Sequence, residues 1–452
     1  MKIFSLRLTT LKSKLYAIVF ASFVVRVVAF FALPNTPSTL APDEGTYASL
    51  TNWIGQSKPA DEFPAYGKGL YLSGRSIIIP ASFLYRIGIN ELDAVRLVST
   101  IYGLLALILA VTLILKVYRE DAANLPNGHY NKQLIVRLLI VFAFLPSHFT
   151  WSNLGLRESA TEFWMLASFG VFFMVYFFHK RITALSIVTL VASVALTFSS
   201  RPQVGWVIGV SMVTYLLFNL SNVNTYFMIG VIVCGVLLGG TWNQGSTTIV
   251  MNNAGNAGNA GNAGNAGNAG NAGNAGNIGE IFKPLTNAAQ VISYKRQANQ
   301  LNAASIIETQ SCPREKPSVV STPPTKIDTY FCIAWRAPYM ISTFLFRPII
   351  GVDVTSTSSL IAALENLIWM SSFMTVLMLV IKKRYISFAR PLHPPVLFFV
   401  LYVSGASAYQ GNMGTGFRHK SLILWVVLLV IFALAWRKPE QAPRSNSQES
   451  AV

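Results

Sequence analysis

Two adjacent carboxylates, Asp43 and Glu44, follow a proline in the run Pro42-Asp43-Glu44-Gly45-Thr46-Tyr47. A carboxylate within hydrogen-bond reach of a hydroxyl can take its proton as a general base. Glu44, one position on, could orient that acceptor, and the two together could share a divalent cation, which takes oxygen ligands. No spacing dedicated to a metal accompanies them, so the sequence assigns no cofactor. The plainer role for Asp43 is to cap a short helix whose apolar positions Tyr47, Leu50 and Ile54 recur at helical spacing. Capping and proton transfer are compatible.

Four further motifs supply mostly cations. They are Asn153-Leu154-Gly155-Leu156-Arg157-Glu158, Ser200-Arg201-Pro202-Gln203, Arg336 with Arg347-Pro348, and the glycine-rich run from Gly411 to Lys420 that ends Phe417-Arg418-His419-Lys420. Arginine offers a planar fork that can hold a phosphate bidentately, and lysine a point charge. Glycines let a backbone approach an anion closely. His419 could hand a proton to a leaving group. Each motif also has a plain structural explanation. Glu158 suits a helix N-terminus and Arg201 a helix end, while Pro202 stops a helix. Arg157 is harder to explain that way, because the same dipole disfavours it.

These residues have to be positioned by a membrane-embedded body. The chain has 452 residues, 52% apolar and only 12% charged, with a mean hydropathy of +0.47. That excludes an ordinary soluble domain, in which about 25% of residues are charged. A bilayer core takes about 20 mostly apolar residues per helix. Runs at or near that length fall at 15–33, 94–118, 134–152, 158–179, 182–199, 203–220, 225–242, 358–381, 393–409 and 419–436. The expected fold is therefore an all-α polytopic membrane protein of about ten transmembrane helices. Two shorter runs, 76–90 with Pro80 and Arg86, and 338–351 with Arg347-Pro348, are read as interfacial helices, the alternative for either being a further span that would reverse the topology after it.

Charge sets the orientation. Placing the N-terminus inside leaves fifteen Lys and Arg residues on cytoplasmic pieces and four, Arg157, Arg201, Arg418 and Lys420, on the short outer turns. The positive-inside rule then puts both termini in the cytoplasm of a cytoplasmic (inner) membrane. The net charge of +17 reads as cytoplasmic flanks and attraction to anionic lipid or substrate, with no nucleic acid implied. Arg26, inside the first apolar run, is expected to face the bundle interior. All five polar motifs fall on the outer face, where carboxylates facing cations suit removal of a hydroxyl proton and support of an anionic leaving group.

The chain divides into an N-terminal membrane module, 1–242, with a first outer loop at 34–93; an outer loop at 243–337; C-terminal helices at 338–438; and a tail at 439–452. The second loop carries eight consecutive Asn-Ala-Gly triplets, 253–276, read as a flexible insert that can bury no core. Cys312 and Cys332 share that loop, and an oxidising exterior would allow them to form a disulfide.

At the Asp43-Glu44 pair with Tyr47, in a first outer loop after one helix, followed by an interfacial helix and a polytopic body, the sequence resembles the GT-C superfamily of membrane glycosyltransferases. Within it, the likeness is to the broad group of bacterial enzymes that depend on polyprenyl-phosphate-linked sugars. That resemblance implies a GT-C-like fold and an inverting transferase of cell-envelope assembly. Its donor would be a polyprenyl-phosphate-linked sugar, and its acceptor a hydroxyl on a glycan, lipid or protein at the outer face. Asp43 would be the base and Glu44 its neighbour. Arg157, Arg201, Arg418, His419 and Lys420 are candidates for the donor phosphate, with Tyr47, Glu158, Arg336 and Arg347 lining the pocket. An O-antigen-type polymerase using lipid-diphosphate-linked glycans, or a flippase for such glycans, would use similar parts.

Overall fold

A computed structural model describes residues 10–38, 43–63, 65–124, 132–176, 182–219, 223–242, 326–354, 357–383, 393–409 and 413–436. Among these residues all regular structure is helical. The order is α1 (Leu11–Ala32), α2 (Asp43–Gly55), a 3-10 turn at Ala60–Glu62, α3 (Ala65–Arg86), α4 (Glu91–Asn124), α5 (Lys132–Phe144), α6 (Pro146–Asn153) and α7 (Glu158–Tyr176). It continues with α8 (Ala184–Ser200), α9 (Pro202–Leu217), α10 (Val223–Trp242), α11 (Lys326–Phe346), α12 (Thr357–Lys383), α13 (His393–Tyr409), α14 (Met413–Ser421) and α15 (Leu424–Trp436).

Among the described residues each of the ten apolar runs lies mostly in helix, and four helices are long and apolar enough to cross a membrane: α1, the first part of α4, α7 and α12. The run 134–152 is not straight. It bends by 44° between α5 and α6, where Pro146 takes the first position of the new helix, the place a missing N–H is tolerated. Counted as one, that pair makes a fifth span. The run 419–436 also divides. His419 and Lys420 end the short α14, and the apolar α15 begins at Leu424.

The two segments read as interfacial are longer than the sequence suggested. α3 runs unbroken through Pro80. A proline inside a helix costs about 3 kcal/mol, and here Ile77, Ile78 and Ala81 around it are completely buried, which offsets that cost. α11 likewise continues through Pro338 to Phe346.

α1 shows how the body is organised. Leu11, Leu15, Ile18, Ser22 and Arg26 form its buried stripe, while Phe20, Val28 and Phe31 point outward, Phe31 being 80% exposed. An apolar outer surface around a stripe that contains a cation is the arrangement expected in lipid, where charge must face protein. Arg26 donates to Ser22, to Ser152 Oγ (3.1 Å) and to the Ala143 carbonyl (3.4 Å), and it lies over the Phe149 ring.

Two apolar cores result. The larger joins α1, α4, α5, α7 to α10, α12, α13 and α15 through residues such as Leu107, Phe169, Phe198, Ile208, Trp369 and Phe398. The smaller sits under the first loop. It packs Tyr47 and Leu50 of α2 against Ile77 and Ile78 of α3, Val95 and Val98 of α4, and Trp151, Leu154, Leu156 and Ala160 around the α6–α7 turn. This second core fixes α2 over the ends of the membrane helices, and it carries the acidic pair.

Candidate active site

α2 begins at Asp43, so Asp43 and Glu44 occupy its first turn, where negative charge is favoured by the helix dipole. Their surroundings differ completely. Glu44 is fully buried and accepts four hydrogen bonds: Arg96 Nε (2.8 Å), Arg96 Nη2 (3.2 Å), Ser38 N (2.7 Å) and Gly155 N (3.0 Å). Arg96, also buried, donates further to the carbonyls of Pro34 (2.7 Å) and Thr36 (3.0 Å). Glu44 is therefore a structural anchor, correcting its expected role beside Asp43 in acceptor or metal binding. All its acceptor capacity goes to tying the chain before α2 and the α6–α7 turn onto α4.

Asp43 projects outward. Its side chain is 25% exposed and its Oδ2 lies 3.2 Å from Arg418 Nη1. One turn on, Tyr47 is buried against α3, close to Gly74, where an added Cβ would stand 2.9 Å from the Tyr47 ring. Burial pushes the Tyr47 phenol up to about 12, opposed by the positive charge of Arg157. Asp43, Glu158 and Arg201 also act on that phenol, which places it among the site's charges.

The α6–α7 turn is pinned from below. Ser99 Oγ of α4 contacts the carbonyls of Trp151 (3.2 Å) and Leu156 (3.1 Å) and the hydroxyl of Ser159 (2.9 Å). This fixes Arg157 and Glu158, which begin α7. Arg157 donates to the Ser73 carbonyl of α3 (3.2 Å). Glu158, buried, pairs through Oε1 with Arg201 and stands 4.0 Å from Arg418, while its Oε2 is buried without a hydrogen-bond partner.

Arg201 both ends α8 and precedes α9, in extended backbone geometry, with Pro202 at the first position of α9. That break aims its guanidinium inward, and it is only 4% exposed. Arg201 Nη1 lies 2.6 Å from His419 Nε2. Since a guanidinium only donates, Nε2 must accept, so His419 is a neutral imidazole here. Arg418, beside it on α14, lies over the Trp151 ring at 6.0 Å, and that ring meets Phe417 edge-on.

The structure thus brings Asp43, Tyr47, Arg157, Glu158, Arg201, Arg418 and His419 to one place from α2, α7, the α8–α9 junction and α14. Three guanidinium groups face two carboxylates, an excess of one positive charge that suits an anion. Among the described residues no group of three or more His, Cys, Asp or Glu could hold a metal.

Two other expected members do different work. Lys420 is buried and donates to Asn366 Oδ1 (2.6 Å) and to the carbonyls of Arg347 (2.8 Å) and Leu345 (3.4 Å). Its ammonium is spent closing α14 onto α11 and α12, which corrects its assignment to a donor phosphate. Arg347 pairs with Asp353 through two nitrogens, and Asp353 also accepts from Ile349 N (2.8 Å), so it closes the turn after α11. Arg336 lies on α11 with its side chain outside the described residues. The Cys312–Cys332 pairing and the repeat 253–276 also fall outside them.

Sequence reading missed Arg96, Trp151 and Asp353. A signal existed for Arg96, a lone cation at the start of the run 94–118 that had to find a partner. Trp151 carried none, because an aromatic within an apolar run looks like core. Compared with family models, curated proteins and solved structures, the chain matches none.

Proposed function

We propose that this chain is a membrane glycosyltransferase that moves a sugar from a polyprenyl-phosphate-linked donor to an acceptor hydroxyl at the outer face of a bacterial inner membrane. The observation that carries the reading is the partly exposed Asp43 carboxylate beside Arg418, in a cluster that also holds Arg157 and Arg201 around Tyr47 and Glu158. In this reading the acceptor oxygen forms a bond to the sugar's anomeric carbon as the bond from that carbon to the phosphate oxygen breaks. The hydroxyl proton passes to Asp43, and the polyprenyl phosphate leaves as an anion supported by the guanidinium groups. Tyr47, buried beneath the cluster, remains a neutral phenol that packs α2 against α3.

The reading takes ten crossings with cytoplasmic termini. In that topology the first loop, the α6–α7 turn, the α8–α9 junction and the α13–α15 connection share the outer side. Those four segments are the ones that converge on the cluster, which supports it.

The test is transfer from radiolabelled polyprenyl-phosphate hexoses in reconstituted vesicles. Asp43→Asn is expected to lower turnover by at least about 10²-fold, within the range general-base catalysis contributes, while the protein remains folded and inserted. Near-normal turnover in that variant would remove the base assignment.

A flippase is the second reading, and a specific observation favours it. His148 and Glu162 form a buried pair (2.6 Å), and Glu365 is buried on α12. Intramembrane ionisable groups are typical of transport pathways. A transferase releases free polyprenyl phosphate, whereas a flippase moves the intact donor between leaflets, so product analysis separates the two.

A further inference from the structure

In a site with surplus positive charge, each internal carboxylate occupies ground an incoming anion would want. The two carboxylates are not equally placed. Glu158 is buried at 3% exposure and joined to Arg201, with Arg418 a more distant neighbour at 4.0 Å. Asp43 touches one nitrogen of Arg418 at 3.2 Å, and both side chains reach solvent, at 25% and 14% exposure. Arg418 lies in the last turn of a short helix, α14, and its guanidinium already has a face against Trp151. It can keep that stacking while exchanging one oxygen anion for another. Of the two carboxylates, Asp43 is the more exposed and the nearer to Arg418.

We propose that Asp43 acts as an internal stand-in for the donor phosphate on Arg418, and that binding of a phosphate monoester displaces it. The proposal rests on the glycosyltransferase reading and deepens it. The carboxylate needed as base is engaged by Arg418 while the donor is absent. Arrival of the phosphate transfers Arg418 to the new anion and returns the Asp43 oxygens to the acceptor hydroxyl. Donor binding therefore comes first, and the base becomes available only when a leaving group is in position. No covalent bond changes in this step; one ion pair is exchanged for another. It also guards against hydroxyl deprotonation in an empty site.

The sign of one mutation decides the matter. If Asp43 competes with the phosphate, removing its charge tightens binding. If Asp43 instead holds Arg418 ready for the phosphate, removing it weakens binding. Farnesyl phosphate, a short polyprenyl monophosphate, is the probe, titrated calorimetrically into the full chain in nanodiscs. Asp43→Asn is expected to bind it roughly 5- to 30-fold more tightly than the parent. That range reflects loss of a partly exposed ion pair together with relief of like-charge repulsion. Asp43→Ser should do the same, which keeps the test valid if one variant fails to fold. Arg418→Ala should weaken binding, and in its presence Asp43→Asn should tighten binding by clearly less than it does in the parent, only the like-charge repulsion remaining to be relieved; an equal tightening in both backgrounds overturns displacement from Arg418.

Inorganic phosphate, run in parallel, separates the sources. An equal tightening with both probes assigns the competition to the phosphate group alone, and tightening with farnesyl phosphate only assigns it to the lipid-linked form. Either result supports displacement. Unchanged or weaker farnesyl phosphate binding in both Asp43 variants overturns it. Tightening without any sugar transfer by the parent would remove the transferase reading and leave the competition standing, so the two failures are distinguishable.

Discussion

Replacing Glu44 with glutamine should damage stability far more than the same kind of change at Asp43. Glu44 accepts from two nitrogens of Arg96 and from two backbone N–H groups, of Ser38 and Gly155, at 2.7–3.2 Å. Glutamine keeps one oxygen but turns an NH2 toward donors, so about half of those bonds become donor against donor. Arg96 is left buried with its charge uncompensated. Breaking a buried pair in this way costs about 3–5 kcal/mol, and the carbonyls of Pro34 and Thr36 that still accept from Arg96 pull the expectation toward the lower end. Asp43→Asn removes a single bond between partly exposed groups, worth about 1 kcal/mol or less. The gap of about 2 kcal/mol corresponds to roughly 30-fold in the folding equilibrium. Reversible unfolding in mixed micelles, followed by denaturing-detergent titration, measures both. A Glu44→Gln variant within about 1 kcal/mol of the parent, or one no worse than Asp43→Asn, would refute the assignment of Glu44 as an anchor.

Two further outcomes follow from the same geometry. Arg347 beside Asp353 holds that carboxyl below its usual range, so its stabilisation is fully present above the unfolded value near about 3.9 and disappears as pH falls through the lower folded value. Asp353→Asn should lose about 1 kcal/mol at neutral pH, and its unfolding curve should converge with that of the parent in acid; a constant difference down to the lowest pH would count against the pair. Single cysteines placed at positions 43 and 418 should react with a membrane-impermeant reagent from the same side of sealed vesicles, and labelling from opposite compartments would dismantle the site.

The membrane-embedded helical character was legible because a bilayer leaves little choice. Each crossing must satisfy its backbone internally and present an apolar exterior, so long apolar runs appear wherever a helix is needed, and the described residues of those runs are mostly helical, four or five of the helices being long enough to cross. Arg26 was legible for the same reason, since a cation in such a run must turn inward. Breaks within runs were less so. Pro146 opens a new helix at a bend, whereas α3 continues through Pro80, and a proline alone does not say which of the two will happen.

The candidate site divides along a similar line. The residue types were readable, and so was their gathering at one end of the helices, because the order of apolar runs and polar turns is a one-dimensional property. Which of two neighbouring carboxylates faces a ligand was not. Successive residues on a helix are turned by about 100°, so Asp43 points toward Arg418 while Glu44 enters the core and meets Arg96, 52 positions away. Lys420 and His419 part in the same manner, one to Asn366 and the other to Arg201. Composition and spacing supplied the charges and the polar turns that carry them. Long-range packing alone decided which of them are consumed in holding the helices together and which remain to meet a substrate, because a buried charge must be neutralised by whatever the fold brings beside it.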